Sequence, residues 1–283
     1  MDTTPEGTIL AEGLQFPEGP VWVDGKVQFV EIAGGTIAEV DTTAPGGAVT
    51  RWATTGGGPN GATRAADGTL WVTQNGGMSR RNRVTPGIQR VSPEGEVTMV
   101  VTEIDGLVLE GPNDLAFGPD GRLWFTDPRG ASDPAVNDKP GRLFVFDTET
   151  GAGELVVELG PVFPNGLGFL ADGTLIWDES FTRRLVALVD GRQEVLVELP
   201  ERHFPDGFCV GADGTLYVAS TFGHCVSVVV DGKLVDRLMC GDGMPTNCCF
   251  GGTDLYVTES RHGTLWRFPL GVEGLPLHTG PTA

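Results

Sequence analysis

A short loop motif, followed by an apolar run, a tight turn and a second apolar run, recurs six times along the chain. The copies begin at Phe16-Pro17-Glu18-Gly19-Pro20, Gly58-Pro59-Asn60-Gly61, Gly111-Pro112-Asn113-Asp114, Phe163-Pro164-Asn165-Gly166, Phe204-Pro205-Asp206-Gly207 and Met244-Pro245-Thr246-Asn247. Their prolines lie 42, 53, 52, 41 and 40 residues apart, and a fixed period of that size means a solenoid, a propeller or an array. The second half of each copy decides among them. Asp67-Gly68, Asp120-Gly121 and Asp213-Gly214 each precede a strong strand pattern, as in Leu216-Tyr217-Val218. Asp-Gly is the favoured two-residue hairpin turn because it reaches positive φ without a steric penalty. Four short strands in about 40 residues make one propeller blade. No stretch carries the 3.6-residue periodicity of an amphipathic helix.

The expectation is therefore an all-β chain, a six-bladed β-propeller with four-stranded blades around a central channel, forming one domain over residues 1–283. The 43 Gly and 20 Pro fit this reading, since they punctuate apolar runs rather than forming low-complexity tracts. Thr8-Ile9-Leu10-Ala11 is expected to pair near Leu265-Trp266-Arg267-Phe268 and close the ring, which removes free sheet edges.

A net charge of −19 repels phosphate, so nucleic acid is not an expected partner. No apolar run reaches the ~18 residues of a membrane span, and Met1-Asp2-Thr3-Thr4-Pro5 has neither the basic nor the apolar part of a secretory signal. Five Cys, an odd number without Cys-x-x-Cys spacing, read as buried free thiols in a reducing cytoplasm.

In a propeller the motif loops and the ends of the second strands share one face of the disc. That face is expected to carry Glu18, Asn60, Asn113, Asn165, Asp206 and Asn247, with Gln74, Asp127, Glu179, Ser220 and Glu259 beside them. The two long repeats add their extra residues after the second strand, at about 75–89 and 128–141, where they could roof a pocket. Glu18, Asn113, Asn165 and Asp206 offer two carboxylates and two amide oxygens. Such a hard, oxygen-only set suits one divalent cation, Ca²⁺ first, with Mg²⁺ or Mn²⁺ as alternatives and Zn²⁺ a poorer fit, since no His or Cys occupies the ring. Turn capping by Asn and Asp is the competing account, but it does not require the Glu at the first copy.

The combination of Glu18 with Pro112-Asn113-Asp114, Pro164-Asn165-Gly166 and Pro205-Asp206-Gly207 resembles the gluconolactonase, senescence-marker and luciferin-regenerating enzyme family of six-bladed propellers, over nearly the whole chain. The resemblance implies a divalent cation in the channel with Glu18, Asn165 and Asp206 as direct ligands. It makes Asn113 a ligand or a substrate contact, and Asp206 the general base. Animal sugar lactonases of the family carry an Arg at the position of Gly111, so a sugar substrate is less secure here.

The leading functional expectation is a metal-dependent hydrolase acting on a small-molecule lactone or related cyclic ester. Asp206 and His203 are its candidate catalytic groups, and Asn60, Asn113, Asp127 and Glu179 its candidate substrate contacts. The alternatives are a lyase or isomerase step on the same metal, or a non-catalytic binding propeller. His262 is a further candidate at the mouth, and Arg80-Arg81-Asn82-Arg83 could attract a carboxylate. Neither a Gly-x-Ser-x-Gly elbow nor a phosphate-binding loop is present.

Overall fold

The computed structural model describes residues 5–44, 46–77 and 82–280. Six antiparallel four-stranded sheets follow one another around the channel, so the protein is a six-bladed β-propeller. From the channel outward, the first three blades are Pro17–Val23, Lys26–Glu31, Thr36–Asp41 and Val49–Thr54; Pro59–Arg64, Leu70–Gln74, Gly87–Val91 and Val97–Val101; and Leu115–Phe117, Leu123–Asp127, Arg142–Phe146 and Gly153–Glu158. The next two are Pro164–Phe169, Leu175–Glu179, Arg184–Val189 and Arg192–Glu198, then Pro205–Val210, Leu216–Ser220, Cys225–Val230 and Lys233–Met239.

The sixth blade joins the two ends of the chain. Pro245–Gly251, Asp254–Glu259 and Thr264–Pro269 take Thr8–Glu12 as their outer strand, with Thr8 opposite Arg267 and Glu12 opposite Thr264. The expected closure is therefore present.

Apolar side chains from neighbouring blades interleave. Trp71 and Ile88 of the second blade share one core with Phe117, Phe125, Phe144 and Phe146 of the third. Each such side chain, fully buried, contributes about 1.5–3 kcal/mol, so the blades are held face to face rather than edge to edge.

The Asp-Gly turns divide into two kinds. At Asp24-Gly25, Asp190-Gly191 and Asp231-Gly232 both residues have positive φ, as a two-residue hairpin turn requires. At Asp67-Gly68, Asp120-Gly121 and Asp213-Gly214 only the Gly does. There the Asp carboxylate accepts the N–H two residues on, at 2.8 Å for Thr69, 3.1 Å for Arg122 and 3.0 Å for Thr215. These are longer, Asx-stabilised loops rather than the two-residue turns expected from sequence.

Among the described residues no helix is long and apolar enough to cross a membrane. Arg80 and Arg81 of the basic cluster lie outside the described residues.

Candidate metal and active site

The innermost strand is irregular at the motif residue in five of the six blades, the third excepted. The register with the second strand shifts between Glu18 and Val21, Pro59 and Ala62, Pro164 and Leu167, Pro205 and Phe208, and Pro245 and Asn247. A bulge turns a side chain out of the regular pleat. Phe16 and Phe163, just before Pro17 and Pro164, adopt φ of 58° and 55°, a conformation that bulky residues rarely take. The backbone is thus strained beside Glu18 and Asn165.

Hydrogen bonds between blades fix the motif backbone. Thr73 Oγ1 donates to the carbonyl of Asn113, and Thr126 Oγ1 donates to that of Asn165 at 2.7 Å. Thr126 Oγ1 also accepts the N–H of Asp114 at 3.1 Å. Ser180 Oγ donates to the Pro205 carbonyl at 2.7 Å and accepts from Asn165 Nδ2 at 3.2 Å. The recurring Gly after the motif residue lets the next blade approach. A Cβ on Gly207 would lie 2.1 Å from the Asn247 side chain.

Four carboxylates gather at this level. Glu18 is 4% exposed, Asp114 9% and Asp178 0%, whereas Asp206 keeps partial contact with solvent. Burial pushes the Glu18 pKa well up, and the nearby Asp206 and Asp114 charges add to it. Burial also raises Asp206 to about 7, opposed by a hydrogen bond from Asn165 and reinforced by Asp114. Asp114 is raised to about 7, again by burial, although Leu115 N–H at 2.8 Å and Asn247 Nδ2 at 3.4 Å bond its carboxylate. Asp178 is pushed well up by burial, then by Asp206 and Asp114, opposed by the backbone N–H of Gly166.

No arginine or lysine ion pair recorded for the described residues reaches these four carboxylates. The cluster therefore carries excess negative charge with no protein cation against it, which a bound metal ion would neutralise. Among the described residues no three or more His, Cys, Asp or Glu side chains are arranged as a metal site. A set of Glu18 and Asp206 with Asn165 and Asn113 contains just two such groups, the remaining donors being amide oxygens. That donor chemistry fits a hard cation.

The other expected residues divide. Asn60, Asn113, Asn165 and Asn247 are all buried on or beside the innermost strands, 7–9% exposed. Asp127, expected as a substrate contact, has its carboxylate engaged elsewhere. It pairs with Arg142 Nη2 at 2.5 Å and accepts the N–H of Gly111 at 2.9 Å and of Glu110 at 3.2 Å. Gln74 and Glu259 hold the equivalent loops through Gly58 N–H and Met244 N–H at 2.5 and 2.7 Å. Glu179 accepts from Thr182 Oγ1 at 2.6 Å. Gln74, Asp127 and Glu259 thus pin the motif loops from behind, whereas Glu179 bonds the turn after its own strand. His203 is 7% exposed and bonds Ser227 Oγ at 2.9 Å; burial lowers its pKa, so it is neutral near pH 7. His262 lies on the surface, 2.9 Å from Asp242.

Asp114 and Asp178 were not singled out from the sequence. Asp114 stands where four other copies have Gly, and Asp178 stands where three others have Thr73, Thr126 and Thr258. Each departure from the repeat was the available signal.

On the motif face, a Cβ at Gly111 would meet nothing within 4 Å. Apolar rings pair nearby, Phe163 with Phe181 at 5.0 Å and Phe204 with Phe222 at 5.5 Å. The second insertion is anchored to the loop before Gly111 through Arg129 and Lys139, which both pair with Glu110. A cavity of about 640 Å³ fills the channel beyond the carboxylates, towards the opposite face, with Asp114 and Asn247 in its lining. The C-terminal segment 273–279 lies along it, held by Leu275 N–H to the Val210 carbonyl at 2.7 Å.

A chain built as a six-bladed ring with acid and amide groups at equivalent places around the channel defines a class of protein, and comparison shows which one. Residues 16–261 match the SMP-30/Gluconolactonase/LRE-like region, and the chain belongs to that family. It is 25% identical over 298 residues to a gluconolactonase of Zymomonas mobilis subsp. mobilis, covering 93% of this chain and 81% of that protein. It is 30% identical over 265 residues to a pentonolactonase of Haloferax volcanii, covering 86% and 81%. The fold superposes on that of a calcium-binding regucalcin of Agrobacterium tumefaciens with a TM-score of 0.78 at 18% identity, covering 98% of each chain.

Proposed function

We propose that the protein is a lactonase that opens a small lactone with the help of one divalent cation. The observation that carries this reading is the cluster of buried, uncompensated carboxylates in a chain of this family, with Asp206 the member that keeps solvent contact. The gluconolactonase and pentonolactonase relatives support the reaction class, and the calcium-binding regucalcin supports the cation.

Glu18, Asn165 and Asp206 would hold the cation, with Asn113 as a fourth oxygen donor. When bound, it would supply a Lewis acid for the ester carbonyl. The protein's own part is positioning and proton transfer. Asn165 is fixed at its carbonyl by Thr126 and at its amide by Ser180, so its oxygen is held in one orientation. Asp206 is the carboxylate of the cluster that keeps solvent contact, and held ionised beside the cation it can take a proton from the attacking water. His203, buried and bonded to Ser227 Oγ, would brace the segment ahead of Asp206.

The substrate is less polar than a sugar lactone. Gly111 leaves open space where an Arg would offer hydrogen-bond donors, and the Phe163–Phe181 and Phe204–Phe222 pairs present apolar surface on the same face. Acid release from a panel of sugar, alkyl and aryl lactones, measured at fixed Ca²⁺, tests this. Faster turnover of alkyl or aryl lactones is expected. A clear preference for sugars would overturn the specificity, and no turnover of any lactone would overturn the reaction.

A further inference from the structure

Cys209 and Cys248 lie on the innermost strands of the fifth and sixth blades, and both line the channel cavity. Their sulfurs are 3.3 Å apart. Cys248 Sγ donates to the Tyr217 carbonyl at 3.2 Å, which leaves the Cys209 proton for the Cys248 sulfur. Four of the five thiols are buried, but Cys209 keeps part of its surface open to the cavity. That is unlike the fully buried thiols expected from sequence. The cavity is wide enough for a small oxidant, and the two thiols belong to different blades.

We propose that Cys209 and Cys248 form a site of reversible oxidation, at which a hydroperoxide reaching the cavity converts them into a disulfide joining the fifth blade to the sixth. With hydrogen peroxide, the Cys209 sulfur attacks one peroxide oxygen, the O–O bond breaks, and water leaves with the thiol proton. The sulfenic acid formed on Cys209 is then attacked by the Cys248 sulfur. The S–S bond forms, the S–O bond breaks, and a second water carries away the Cys248 proton. Two thiols are oxidised and one peroxide is reduced to two waters. Cellular dithiols reverse the step by thiol–disulfide exchange.

Two features shape the rate. Burial holds the Cys209 proton on well above the ordinary thiol range, helped by Cys248 and Cys249 nearby, so the first step is slow at neutral pH and accelerates as pH rises. The 3.3 Å contact makes the second step immediate, which keeps Cys209 from further oxidation. The bridge would tie the strand carrying Asp206 to the strand carrying Asn247, just beyond the carboxylate cluster.

The test is peroxide treatment of the reduced, full-length protein at pH 7 and pH 9, followed by alkylation and tryptic digestion without reductant. Trypsin releases Cys209 in peptide 203–233 and Cys248 in peptide 238–261. The expected product is a cross-link between these peptides, formed faster at pH 9, with fragmentation placing the bridge at Cys209 and Cys248. Because Cys225 shares the first peptide and Cys240 and Cys249 share the second, four variants sharpen the result. Cys209→Ser and Cys248→Ser should abolish the cross-link, while Cys225→Ser and Cys249→Ser should keep it. The oxidised protein should melt about 5–10 °C higher than the reduced form, a shift absent from Cys209→Ser. Fragmentation placing the bridge at any other pair, or recovery of Cys209 as sulfinic acid or unmodified thiol, overturns the proposal. The wild-type fragmentation decides even if a serine variant fails to fold.

Discussion

Glu18 and Asp206 stand on innermost strands four blades apart in sequence, yet they approach closely enough in the channel for the Asp206 charge to raise the Glu18 pKa. The fold brings together two carboxylates that repel one another. In a native protein this calls for a proton or a cation.

The first prediction follows from the burial of these carboxylates, to which repulsion adds at Asp206. Asp114 and Asp206 have pKa values near 7 in the folded protein against an ordinary 3.8. Between those values the folded state binds more protons than the unfolded state, so metal-free protein must lose stability as pH rises through this window. Tm of the chelator-treated protein should fall from pH 5 to pH 8. Added Ca²⁺ should restore it, with the largest gain at pH 8. A metal-free Tm that climbs over the same range would contradict the electrostatic account.

Removing a ligand should weaken cation binding without unfolding the ring. Asp206→Asn keeps the volume and removes a charge, so Ca²⁺ affinity measured by calorimetry should drop by at least tenfold, since loss of one charged hydrogen-bonding partner is worth about 1.5–3 kcal/mol. Unchanged affinity would place the cation elsewhere.

The buried pair of Asp127 and Arg142, with side chains 0% and 5% exposed, is structural in this account. Arg142→Met should leave Asp127 without its cation and cost about 3–5 kcal/mol in urea unfolding. A loss below 1 kcal/mol would mean that the loop holding Gly111 is anchored by other contacts.

Gly111→Arg should fit, because its side chain starts into open space. One or two new hydrogen bonds of ~1 kcal/mol each to sugar hydroxyls would raise the sugar-to-alkyl ratio of kcat/KM by about tenfold. An unchanged ratio would show that this position does not face the substrate.

The repeat made the fold legible, because the Pro motif and the apolar runs mark every blade and the partner of Thr8–Glu12 could be found by looking for an unpaired edge. The placement of Glu18, Asn165 and Asp206 on innermost strands was legible for the same reason. What sequence alone concealed was direction. Asp127 and Gln74 occupy equivalent places at the ends of second strands, and nothing in the residue type tells whether they face the mouth or bond the loop behind them. Asp114 and Asp178 were hidden because burial in the assembled channel raises both, with charges from other blades adding at Asp178.

The central claim is that this carboxylate cluster performs cation-assisted lactone hydrolysis with Asp206 as base. The most direct measurement is kcat/KM for the best lactone of the panel in chelator-stripped protein, in the same protein with Ca²⁺ restored, and in Asp206→Asn loaded to the same Ca²⁺ occupancy. The account predicts negligible turnover without the cation, recovery on adding it, and a loss of about 10²–10⁴-fold in the variant. Full turnover in the stripped protein, or in the loaded Asp206→Asn variant, would contradict it.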